Sequence, residues 1–249
     1  MAARRLAPIT AVFLVASLAA CNPSAAKTDD SKPPAAASSA GASASTGASP
    51  SAASGAPAGG SGLSLAEAIA KLPAADENRT GYKRDSFKHW IDEDGDGCST
   101  RNEVLLAEAV KKPEQGPRCT LTGGEWLSYY DEVTVTDARK LDIDHMVPLA
   151  EAWDSGASAW DSDRRMRYAN DLGSERSLVA VTASENRRKG DKDPSQWMPS
   201  AQSAKCTYLA DWTATKLRWK LTADDKERAA LNTLTANCKD TVVKYKVAP

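Results

Sequence analysis

Histidine is the scarcest chemistry-bearing residue in this chain: His89 and His145 are the only two among 249 residues. That scarcity excludes a zinc site built on three imidazoles. The five cysteines contain no Cys-x-x-Cys pair that would offer a thiolate site instead. Long hydrophobic runs are missing as well. The most apolar stretch, residues 9 to 20, is too short to span a bilayer as a mature helix. Charge of one sign is missing too: the formal net charge is −1, which argues against a protein that coats nucleic acid by bulk charge. Aromatics are few and late, with all seven Trp and six Tyr beyond residue 80.

What is present is unevenly spread. Residues 23 to 62 are almost all Ala, Ser, Gly, Pro and Thr. Such a segment cannot bury enough apolar surface to offset its ordering entropy, so it reads as a flexible tether. Ahead of it, Arg4 and Arg5 precede the short apolar run, and Leu18-Ala19-Ala20-Cys21 follows. This arrangement resembles a bacterial lipobox, in which Cys21 is acylated and becomes the first residue after cleavage. The alternative is an ordinary cleavable signal with a coincident cysteine. The expected organisation is a signal peptide at 1–20, a tether at 21–63 and one folded domain at 64–249. The protein would then be exported and lipid-anchored to a bacterial envelope membrane.

Export makes sense of the remaining cysteines. Cys98, Cys119, Cys206 and Cys238 are an even set, for which three pairings exist. Pairing of sequence neighbours, Cys98 with Cys119 and Cys206 with Cys238, is expected. Each bridge would close a loop of about 20 to 30 residues and stabilise by roughly 3 kcal/mol in the chain-entropy model.

Periodicity suggests helices over 65–72, 102–111, 148–153, 159–172, 205–219 and 223–238, and at most a short one over 194–201. Strand patterns cover 126–136, 141–146 and 178–182. The fold class is α+β, mostly helical around a small antiparallel sheet. Charge divides along the domain. From Glu67 to Asp163 there are 11 basic and 21 acidic residues; from Arg164 to Pro249 there are 17 and 10. A basic half allows a phosphate-facing surface, although a solvated surface with coincidental clustering would look the same.

The chemistry concentrates in Leu141-Asp142-Ile143-Asp144-His145-Met146-Val147-Pro148-Leu149 and, about forty residues later, in a loop reading Ser184-Glu185-Asn186-Arg187-Arg188-Lys189-Gly190-Asp191. Phosphodiester hydrolysis needs a base for water, stabilisation of the phosphorane charge and neutralisation of the leaving oxygen. His145 is a neutral-pH base. Asp144 and the amide oxygen of Asn186 are hard ligands suited to Mg²⁺. Neighbours on a strand face opposite ways, so Asp144 and His145 share an ion only if the strand bends near its end. Taken alone, His145 would more often be a satisfied core histidine, and the Asn186–Gly190 stretch a solvated basic turn.

Asp144-His145 followed by Asn186-Arg187-x-Lys189 resembles the ββα-metal finger of HNH endonucleases. With Glu151-Ala152-Trp153, Tyr168-Ala169-Asn170-Asp171-Leu172 and Val181 to Asp191 added, the chain resembles the secreted HNH family related to the C-terminal domain of the GmrSD restriction enzymes. The likeness covers roughly residues 80 to 240. It implies that His145 activates water, that Asp144 and Asn186 hold one Mg²⁺ or Mn²⁺, and that Lys189 and Arg187 face phosphate. Asp191 would be an extra ligand or a cap. Glu151 and Asn170 would fix the surroundings, and His89, in a different region beside Trp90, would be structural.

A second motif lies upstream. Asp92, Asp94, Asp96 and Glu103, with Gly97, fit the Asp-x-Asp-x-Asp-Gly-x₅-Glu calcium template. The competing reading is an acidic turn capping the next helix. The expected function is metal-dependent cleavage of DNA, with RNA as a further substrate, by a monomer outside the cytoplasm. The rivals are a calcium-stabilised surface lipoprotein without chemistry and a nucleic-acid-binding module.

Overall fold

A computed structural model describes residues 62–249. The leader, Cys21 and the tether up to residue 61 lie outside the described residues. The chain runs β1 (Leu63–Ser64), α1 (Leu65–Ala70), α2 (Thr100–Glu108), β2 (Glu114–Gly116), β3 (Thr120–Thr122), β4 (Trp126–Ser128), β5 (Val133–Val135), β6 (Leu141–His145), α3 (Leu149–Asp154), α4 (Ser162–Ala169), β7 (Leu178–Thr182), α5 (Ala183–Lys189), α6 (Ala204–Trp219), α7 (Asp225–Thr235) and β8 (Val242–Val243). Among the described residues no helix is long and apolar enough to cross a membrane.

Local capping explains most helix starts. Ser64 and Glu67 form a reciprocal capping box on α1, with Ser64 N–H donating to Glu67 Oε2 at 2.9 Å. Asp161 accepts from Arg164 N at 2.7 Å and starts α4. Thr182 accepts from Glu185 N and starts α5, and Asp224 does the same for α7 through Glu227 N. The bridge Cys206–Cys238 ties α6 to the end of α7, and Cys98–Cys119 closes the segment around α2.

The composition is α+β, but the strands do not form one sheet. They make four separate antiparallel pairs: β1–β8, β2–β3, β4–β5 and β6–β7. The stretch 126–136, which alternates like one strand, is a hairpin that reverses at Glu132, where φ is +57°. Leu63, expected at the end of the tether, pairs with Val243. Residues 194–201 contain no helix, and 183–189, expected as a loop, is α5. In the last case the Thr182 cap and the run after it outweigh the polar composition that suggested a turn.

The longest pair, β6–β7, sits between two apolar clusters. Leu141 and Ile143 with Leu178 and Ala180 pack against Val104, Leu105, Trp126 and Val135. Val179 and Val181, on the other face of β7, join the larger cluster with Tyr130, Tyr208, Leu209 and Trp212. A strand buried on both faces reads as a continuous apolar run rather than as an alternation, as Leu178-Val179-Ala180-Val181 does.

Candidate active site

The register of β6 decides which side chains meet. Leu141 pairs with Thr182 and His145 with Leu178. Alternation puts Asp142 and Asp144 on one face and His145 on the other. Helix α5, which follows β7 directly, lies against the aspartate face. Asn186 reaches Asp142, and Lys189, about one turn later, reaches Asp144.

Lys189 is fully buried. Its ammonium donates to Asp144 Oδ2 and to the carbonyls of His145 at 2.8 Å and Met146 at 2.9 Å. Three acceptors use its three protons, so it has none for a phosphate. This corrects the expectation of a phosphate-facing Lys189: its ammonium lies 5.9 Å from the Tyr208 ring and 6.0 Å from the Trp212 ring, and the charge ends on a buried carboxylate. Burial pushes the Asp144 carboxyl up and the Lys189 ammonium down, while their mutual attraction opposes both shifts. Asp144 Oδ2 also accepts from Tyr130 Oη at 2.6 Å. Among the described residues nothing donates to Asp144 Oδ1.

His145 turns the opposite way and is 6% exposed. Its Nε2 lies 2.9 Å from the Ala169 carbonyl. A carbonyl only accepts, so Nε2 carries the hydrogen and Nδ1 keeps its lone pair in the neutral ring. Burial drives its pKa down to about 3, against the opposing Ala169 bond, and Arg84, His89 and Lys189 push the same way. The Trp90 ring lies 5.3 Å away and the His89 ring 6.3 Å. The two histidines therefore meet, although 56 positions separate them in sequence; His89 is not in a separate region.

Asn170 builds this neighbourhood. Its amide nitrogen donates to the carbonyls of Lys88 and Met166, both at 2.8 Å, and its oxygen accepts from Ile91 N at 3.1 Å and Thr100 Oγ1 at 2.8 Å. All four hydrogen-bonding positions of the amide are used. Glu151 is likewise structural, accepting from Lys216 at 2.8 Å within a buried network that includes Ser155 and Glu227.

On the aspartate face Asn186 donates its amide nitrogen to Asp142 Oδ2 at 3.2 Å, which leaves its amide oxygen available. Arg187 is mostly exposed, with Nε 3.7 Å from the same carboxylate oxygen. The structure brings Asn186 to Asp142 rather than to Asp144, and neither shares a partner with the His145 ring. Asp142 is the residue that sequence reasoning passed over; its i, i+2 spacing from Asp144 on a strand was the available signal. The oxygen donors Asp144 Oδ1, Asp142 and the Asn186 amide suit a hard divalent cation. Asp191 faces Arg79 at 3.4 Å instead of capping the next segment.

The acidic loop folds around its own side chains. Asp92 accepts from Gly95 N and Gly97 N, Asp94 from Asp96 N, and Asp96 from Cys98 N. Carboxylate oxygens of Asp92, Asp94 and Asp96 come within 4.8 Å of one another, and Asp96 and Glu103 are similarly close. Glu103 is pushed up by burial and by those three aspartates. The Cys98 sulfur is bonded to Cys119 and is not a free ligand.

The family model of the C-terminal domain of GmrSD restriction endonucleases matches residues 102–234. An uncharacterized secreted protein of Arthroderma benhamiae is 39% identical over 182 residues, covering 73% of this chain and 87% of that relative. No solved structure matches.

Proposed function

The chain belongs to the family of the C-terminal domain of GmrSD restriction endonucleases, and from that premise we propose that it is an HNH-type endonuclease, hydrolysing phosphodiester bonds of DNA outside the cytoplasm. The observation that carries this reading is the ββα order of β6, β7 and α5, with α5 laid along β6 so that Asn186 and Lys189 reach Asp142 and Asp144.

His145 is the base. Its hydrogen is committed to Ala169, so Nδ1 is the atom that takes a proton from water. Burial keeps the ring neutral at any physiological pH, and charge developing on a phosphorane beside it would raise its proton affinity. Asp144 Oδ1 and the Asn186 amide oxygen, with Asp142 beside them, would hold one Mg²⁺ or Mn²⁺. Such an ion supplies positive charge to the phosphorane and the leaving oxygen. Lys189 acts as a positioning residue that fixes Asp144, and the exposed Arg187 is left to meet phosphate. The loop from Asp92 to Glu103 is a separate structural Ca²⁺ site in this reading, in which a cation relieves the crowding of four carboxylates.

Export follows from the two disulfides and from the relative described as secreted. Cys21 would be the acyl anchor of a bacterial lipoprotein, and the domain would work as a monomer. The test is incubation of the mature domain with plasmid DNA and with RNA in Mg²⁺, with and without EDTA, beside His145→Ala. Cleavage lost in both controls is expected. Cleavage that survives His145→Ala refutes the role of His145; DNA binding without cleavage favours a binding module.

A further inference from the structure

We propose that His89 is a second catalytic residue, the proton donor to the leaving oxygen, placed across the scissile phosphate from His145. This rests on the nuclease reading above and extends it to a residue outside the matched span 102–234.

Two adjacent residues bring the histidines together. The Ala169 carbonyl holds His145 Nε2. Asn170 clasps the chain on both sides of His89, through the Lys88 carbonyl and Ile91 N–H. The rings end 6.3 Å apart, inclined at 80°. Between the clasped residues Trp90 sits at φ +60°. That conformation is costly for a bulky aromatic and persists only where the surroundings enforce it. Backbone strain and two hydrogen bonds from the Asn170 side chain are thus concentrated on the segment that presents one half-buried histidine.

The hydrogen bonding leaves one nitrogen of His89 for chemistry. Nδ1 lies 2.9 Å from the Phe87 carbonyl, so Nδ1 carries a hydrogen in every protonation state. Nε2 has no partner among the described residues. Arg84, exposed and five positions earlier, is near enough for its charge to act on His145. In an in-line displacement the entering and leaving oxygens flank phosphorus, and each must lie about 2.6–3.2 Å from its proton-transfer group. With ring centroids 6.3 Å apart, one phosphate seated at the open edges of both rings can meet a nitrogen of each.

The step balances. A water oxygen bonds to phosphorus and its proton passes to His145 Nδ1. The bond from phosphorus to the leaving oxygen breaks, its electron pair stays on that oxygen, and the oxygen takes the proton held at His89 Nε2. One proton is accepted and one donated, and exchange with solvent restores both rings.

The test compares two leaving groups. His89→Asn can keep a donor for the Phe87 carbonyl but places nothing at Nε2. In Mg²⁺ its kcat on DNA should fall by about 10²- to 10⁴-fold with KM little changed. On bis(p-nitrophenyl) phosphate, whose leaving group departs without a proton, kcat should stay near wild type. His145→Ala should lose both activities. Equal loss of His89→Asn on the two substrates, or undiminished cleavage of DNA, overturns the proposal. Should His89→Asn melt far below wild type, the same two rates are read on His89→Gln. Wild-type protein inactive on both substrates would remove the nuclease reading itself.

Discussion

Replacing Lys189 with methionine separates two incompatible roles for that residue. A phosphate-facing lysine at a rim would be lost with little change in stability, and the effect would appear as weaker, less salt-dependent substrate binding. The structure instead buries the ammonium completely and pairs it with Asp144, which is 4% exposed. Methionine roughly conserves the volume but leaves Asp144 with only Tyr130 as a donor. It also strips the carbonyls of His145 and Met146 of a partner. Breaking one side of a buried pair costs about 3–5 kcal/mol. For a domain of this size each kcal/mol lowers Tm by about 2–4 °C, so Lys189→Met should melt on the order of 10 °C below wild type. The double variant Asp144→Asn/Lys189→Met, which removes both charges, should recover much of that loss. Thermal melts and urea titrations at pH 7 read both. A Lys189→Met protein melting within about 2 °C of wild type would show that the ammonium reaches solvent and return it to the substrate surface.

Three further outcomes are expected. Glu108 is pushed up to about 7 by burial, against the Ala180 N–H that donates to it. A carboxyl raised in the fold contributes stability that is full below its unfolded value and is lost as pH climbs through about 7. The shift corresponds to roughly 3 kcal/mol, and Glu108→Gln should lose correspondingly less stability between pH 5 and pH 8 in urea titrations. Millimolar Ca²⁺ should raise Tm, and Asp94→Ala should abolish the rise; wild type indifferent to Ca²⁺ in a thermal melt refutes the loop site. Asn170→Ala removes four hydrogen bonds, of about 1 kcal/mol each, so urea titration should show a loss of roughly 3–4 kcal/mol. Asn170→Asp keeps the acceptor oxygen for Ile91 and Thr100 but sets a second acceptor against the Lys88 and Met166 carbonyls, so at pH 7 it should be no more stable than Asn170→Ala.

Much of the candidate site was legible residue by residue, and much of its geometry was not. Asp144, His145 and Asn186 stand out by type and spacing, whereas Asp142 was passed over; strand alternation sets Asp144 and His145 on opposite faces unless the strand bends near its end. Their divergence is what β6 shows: one side chain meets Tyr130 and Lys189, the other Ala169 and Trp90. Lys189 was misjudged because a lysine two residues past an exposed arginine looks like part of a basic turn. Only the seating of α5 on β6 turns it inward. His89 was set aside because nothing local connects residue 89 to residue 145. Asn170 makes that connection from a third segment.

What the sequence determined by itself is whatever depends on neighbours within about four positions. Helix caps at Ser64, Asp161 and Asp224, the apolar run of β7, and the low-complexity stretch before the domain are of this kind. Tertiary structure decided which charges are buried and which rings meet. Desolvation and hydrogen-bond completion are set by atoms that arrive from distant segments, such as the two carbonyls that with Asp144 take up the Lys189 protons. The same ammonium is a surface cation or a core strut according to whether those atoms are there.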